Sequence, residues 1–274
     1  VPIDKIMPAV ALARLRKQIE LLTWKYTQPE EFIAGLRNLL DDYADHTYRA
    51  AASVPVAVRQ VPAYHVPPVV IRQLELALHA LVSENPSPAL NLAIILWKEE
   101  KEEPRLLATY LLGLIPPDEV EQVIQTIENW AFSESDRLLL EALFEQGTGN
   151  LRRHSTQQWL AKIQEWLSQN SIKAQRIGLM ALLPLVQDKQ FTNLPQIFSL
   201  CTPLFQTSPK ELSHELSQIL IILAERTPAE LVYYIRQLIG SAASDDLRRL
   251  IRRCVPSLPD EVQQRIRPIL QRTS

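Results

Sequence analysis

The sequence predicts an all-α protein, an α-solenoid in which short helices stack in pairs. Three observations predict it. Apolar residues recur at helical spacing in segment after segment. The breaks between segments are a few residues long, many with Pro or Ser near the next helix start. From Val69 onward no alternating strand of any length intervenes. Helices of roughly 12–18 residues cannot bury their own apolar faces, so pairs repeating at about 35–40 residues must bury them against neighbouring pairs. An irregular helical bundle is the alternative; the even spacing favours the solenoid, with HEAT-like repeats as its unit.

In chain order, Pro8–Leu22 and Pro29–Tyr43 read as a helical hairpin, the second helix carrying Phe32, Leu36, Leu39 and Leu40 at helical spacing. The stretch Ala50–Pro68 contains Pro55, Pro62, Pro67 and Pro68 among Val and Ala. It cannot be helical and is too apolar for a flexible linker, so it is expected to run extended over neighbouring helices. Two domains follow from this: residues 1–68, a hairpin plus Pro-rich connector, and residues 69–274, the solenoid.

Within the solenoid the expected helices are Val69–Ser83, Ala89–Lys98, Pro104–Leu114, Asp118–Trp130, Ser135–Gln146, Ser155–Leu167, Ser171–Gln187, Asn193–Phe205, Pro209–Arg226, Pro228–Ile239, Ser244–Val255 and Pro259–Leu270. The segment Ser171–Gln187 is the most informative. Ser171 can cap its first turn, and the helix is apolar except for one sector holding Lys173, Arg176, Met180 and Gln187 at 100° per residue. Such a helix is buried on most sides and open along one basic line, as expected of an inner helix lining a groove.

Composition is that of a folded protein, 46% hydrophobic and 22% charged over 274 residues, with formal net charge −2. Whole-molecule attraction to nucleic acid is therefore not indicated, and any polyanion site must be a local patch. Two patches exist. Arg152, Arg153, Lys162, Lys173 and Arg176 face only Glu165, and the Arg-rich end from Arg236 faces four acids. No apolar run approaches the ~18 residues of a membrane helix, and the start Val1-Pro2-Ile3-Asp4 lacks a secretory layout. Cys201 and Cys254 stand outside metal spacing and suit a reducing, cytoplasmic setting as small buried residues. His46, His65, His79, His154 and His214 are scattered, so no metal is expected. With only 6 Gly there is no phosphate-cradling loop, and Gly147-Thr148-Gly149 reads as a connection. No cofactor is expected.

Three segments in register resemble the DNA alkylation repair family of HEAT-like-repeat glycosylases: Leu90–Ile115, Glu165–Leu185 and Ile219–Ile235. The likeness covers roughly Val69–Pro256. It implies a concave groove that binds the backbone of double-stranded DNA, and a Trp-x-x-x-Asp pair, an Arg and a second Trp that cradle an N3- or N7-alkylated purine for excision. Carried onto this chain, the Arg falls on Arg176 and the Asp on Asp136. Phe132, not Trp, stands four residues before Asp136, with Trp130 close enough to leave the alignment open. The second Trp falls near Leu220, in a segment without aromatics.

Each residue has a plainer reading. Asp136 can stabilise charge on a breaking glycosidic bond, yet Ser133-Glu134-Ser135-Asp136 also looks like a helix start in which Ser133 caps and Asp136 occupies the first turn. The capping role ranks first, and one residue can serve both. Arg176 can hold a phosphate bidentately, with Lys173, Lys162, Arg152 and Arg153 extending the track, or can pair with an acid such as Glu165. Trp159 and Trp166 read as core. The sequence leaves enzymatic activity open and sets a DNA-binding repair protein beside a noncatalytic scaffold gripping a protein partner.

Overall fold

The computed structural model describes residues 10–47, 61–240 and 244–271. It is all-α, with no strand among the described residues. The helices gather into two compact units, Val1–Thr156 and Gln157–Ser274. Residues 48–60, most of the expected extended connector, lie outside the described residues.

The first unit contains α1 (Leu12–Thr23), α2 (Pro29–Asp42), α3 (Pro68–Glu84), α4 (Ala89–Trp97), α5 (Glu102–Leu112), α6 (Val120–Ser133), α7 (Arg137–Glu145) and α8 (Gly149–His154). Packing on the second helix along dominates one layer, α1, α3, α5 and α7, and joins α2 to α4 in the other, while α4 also packs closely on α5. Prolines at the first positions of α2 and α3 start those helices at no cost, since the missing N–H would have had no intrahelical partner. A close approach occurs at Gly113, the C-cap of α5. A Cβ there would lie 2.0 Å from the Gln146 carbonyl oxygen, and the Gly113 carbonyl accepts from the Asn150 N–H at 3.1 Å.

The second unit contains α9 (Thr156–Ser168), α10 (Ile172–Gln187), α11 (Leu194–Thr207), α12 (Ser213–Arg226), α13 (Pro228–Gly240), α14 (Asp245–Cys254) and α15 (Asp260–Gln271). Here α10, α12 and α14 form one layer, and α11, α13 and α15 the other. Serial packing of each helix on its second neighbour is the α-solenoid arrangement. Arg226 ties the layer lengthwise, donating to the carbonyls of Val186 and Phe191 at 2.6 and 2.7 Å. Trp159 and Trp166 are fully buried in a T-shaped pair, 5.5 Å between centroids, and both cysteines are buried.

Several expectations need correction. Gly149 opens the short helix α8, whose six residues are too few to show a period. A 3-10 turn, Lys210–Leu212, precedes α12, so the helix begins at Ser213 and not at Pro209. Met180 is 5% exposed, because the apolar face of α10 is wider than the sequence suggests.

Candidate nucleic-acid interface

The helix α10 owes its start to Ser171, whose Oγ accepts from the Ala174 N–H at 3.4 Å. Nine of its residues are buried, among them Gly178, where an added Cβ would meet the Leu167 side chain at 2.7 Å. That close approach seats α10 against α9 and leaves Lys173 exposed and Arg176 half-exposed. Arg176 does not pair with Glu165. Its Nη2 donates to the Glu211 carbonyl at 2.8 Å, and its Nε stands 3.8 Å from Oε1 of Glu215, a carboxylate only 4% exposed on α12. The guanidinium is thus braced from behind by the next helix of its layer. Lys162 on α9 takes Glu165, 3.1 Å away, and sits over the edge of Trp166 with Nζ 5.8 Å from the ring centroid.

The other candidates lie in the first unit. Arg152 donates from Nη1 and Nη2 to the carbonyls of Phe144 and Glu145 at 3.1 and 2.9 Å, which caps the C-terminal end of α7. Arg153 is exposed and donates to Asn150 Oδ1 at 3.0 Å. Asp136 is the N-cap of α7: its Oδ1 accepts from the N–H groups of Leu138 and Leu139 at 2.9 and 3.2 Å, and the residue is 3% exposed. Ser133 is not the cap. It ends α6, where its hydroxyl donates back to the Asn129 carbonyl at 2.8 Å. Phe132 is half-buried on α6, and Leu220 on α12 is buried.

The residues that sequence reasoning passed over are Glu134, Arg105 and Trp97. The Glu134 carboxylate is buried and paired with the Arg105 guanidinium, and its Oε1 accepts the N–H groups of both Ser135 and Asp136 at 2.7 Å. Arg105 in turn stacks on Trp97, with Cζ 4.3 Å from the ring centroid, and Trp97 lies parallel to Trp130 at 4.3 Å. The sequence signal was the spacing Trp130-x-x-x-Glu134.

The family model described as DNA alkylation repair enzyme matches residues 36–254. The chain belongs to that family. No curated protein and no solved structure matches it. The matched span begins inside α2 and ends at the last residue of α14, so it takes in every candidate residue above. Membership connects the chain to DNA repair. Among the described residues no group of three or more His, Cys, Asp or Glu could hold a metal ion, and no helix is long and apolar enough to cross a membrane.

Proposed function

We propose that this chain is a HEAT-like-repeat protein that grips double-stranded DNA nonspecifically by its phosphates, in the service of alkylation repair and in the cytoplasm. The observation that carries the reading is Arg176 beside Lys173 on the open line of α10, its guanidinium braced by Glu215 and the Glu211 carbonyl. A braced guanidinium loses little side-chain freedom on meeting a phosphate, and each phosphate neutralised releases counterions. Lys162, on α9 of the same unit, extends the track. Arg152 and Arg153 belong to the other unit, where Arg152 is spent on the end of α7.

Alkylpurine excision is not part of this reading. Glu134 stands at the family's Trp-x-x-x-acid spacing, but Arg105 and two backbone amides hold its oxygens, and the Trp130 face is covered by Trp97. Asp136, the other carboxylate, is engaged in its cap, and α12 contains no aromatic near Leu220. An electrostatic role at a breaking glycosidic bond needs a carboxylate able to face the sugar.

A second reading, a noncatalytic scaffold for a protein partner, draws support from α1, where Leu21 is 61% exposed and Trp24, just past its end, 79%. Duplex binding by wild type, Lys173→Ala and Arg176→Ala, titrated between about 50 and 200 mM salt, separates the two. The DNA reading expects steep weakening with salt and a slope shallower by about one for each variant. No binding at the low-salt end would leave the scaffold. Release of methylpurine from alkylated duplex by the wild type would overturn the exclusion of excision.

A further inference from the structure

The first unit contains a cavity of about 740 Å³ between α3, α5 and the non-helical segment 61–66, within the size range of small-molecule sites. Its apolar wall is Ile71, Val66 and Leu106, all half-buried. Its charges are mostly acidic, Asp45, Glu75, Glu102 and Glu103 against Arg72 and His65.

Two of these acids are spent on the fold. Glu103 accepts the backbone N–H groups of Tyr64 and His65 at 2.9 and 2.7 Å, which fastens the segment 61–66 to α5. Asp45 accepts the N–H and hydroxyl of Thr47 at 2.9 and 2.7 Å. Glu75 differs from both. It is half-buried in the middle of α3, makes no hydrogen bond or ion pair with any described residue, and interacts electrostatically with Arg72 one turn earlier. Burial raises its pKa, with Arg72 opposing. A carboxylate taken out of water without a partner is unfavourable, and a cation brought to it recovers the lost interaction.

We infer that this cavity binds a small organic cation, a protonated amine on an apolar body, with Glu75 as its counter-charge and Ile71, Val66 and Leu106 as the wall for the apolar part. The acidic surroundings reject anions, and a neutral molecule of the same shape leaves Glu75 unpaired. Exposed Arg72, one turn before Glu75, competes for the same carboxylate. The site lies entirely in the first unit and does not depend on the phosphate contacts of α10.

The test is calorimetric titration of the full chain with phenethylamine, against 2-phenylethanol and 3-phenylpropionate as neutral and anionic probes of like shape. Phenethylamine is expected to bind saturably with a Kd near or below about 1 mM, and the other two at least about tenfold more weakly. Glu75→Gln should weaken phenethylamine about tenfold or more, and Arg72→Gln should tighten it. The inference is overturned if phenethylamine shows no saturable binding up to about 10 mM, if 2-phenylethanol binds equally well, or if Glu75→Gln binds as the wild type does. Should Glu75→Gln fail to fold, Arg72→Gln decides, and unchanged or weaker amine binding then sinks the idea.

Discussion

The indole of Trp97 lies flat on that of Trp130, ring centroids 4.3 Å apart and planes within 3°. The Arg105 guanidinium, Cζ 4.3 Å from the Trp97 ring centroid, carries this stack to Glu134 through a buried ion pair. Trp97 ends α4, Arg105 sits on α5, and Trp130 and Glu134 flank the end of α6, so one cluster joins three helices.

Removing one partner of that pair should be costly. Glu134→Ala leaves Arg105 charged and buried and frees the N–H groups of Ser135 and Asp136, so a loss of about 3–5 kcal/mol is expected. Glu134→Gln, which keeps an acceptor, should lose less. Urea unfolding midpoints of the two variants check this, and midpoints equal to the wild type's would deny the carboxylate its structural role.

Asp136→Ala should cost about 1 kcal/mol through the lost cap of α7, and Asp136→Asn should restore most of it. Thermal unfolding decides. A stability-neutral Asp136→Ala would show the cap to be dispensable and return the residue to a functional reading.

Two glycines should respond unequally to alanine. At Gly113 the new methyl meets the Gln146 backbone oxygen at 2.0 Å, which cannot yield without moving the end of α7. At Gly178 it meets the Leu167 side chain, which can change rotamer. Both should destabilise, by about 1–3 kcal/mol for overpacking in general, with Gly113→Ala the larger. The reverse order in a melting comparison would contradict the packing described at the end of α5.

Stability should fall at alkaline pH. Burial pushes the Cys201 thiol from 9.0 up to about 12 and the Tyr26 phenol from 10.0 to about 12. For both groups the unfolded chain releases its proton first as pH rises. Their contribution is therefore intact below about pH 9 and is lost between pH 9 and 12. Urea midpoints across that range should decline, and Cys201→Ala should flatten the lower part of the decline. Alkylation of native protein should spare Cys201, since its thiolate is suppressed and covered.

The fold was legible because helical periodicity, Pro and Ser starts and short breaks are local signals, and Ser171, Ser244 and the apolar face of α14 stand where those signals put them. The candidate site was legible only in part. Arg176 was picked out as lying on an open line, and it does, but its partner proved to be Glu215, 39 positions later in the sequence, instead of Glu165. The Glu134 pair escaped notice because its other half, Arg105, lies on a different helix, and no spacing within one helix can announce such a contact.

By itself the sequence determined the helices, their order and the repair family, since these depend on residue periodicity and on short segments in register. Tertiary structure alone decided which partner each charge takes. Asp136 was drawn into a cap, Glu134 into a buried pair and Arg152 into the end of α7, while Glu75 makes no hydrogen bond or ion pair with a described residue. The physical reason is that a buried charge or amide must find its partner in three dimensions, and the partner is set by which helices the stack brings side by side.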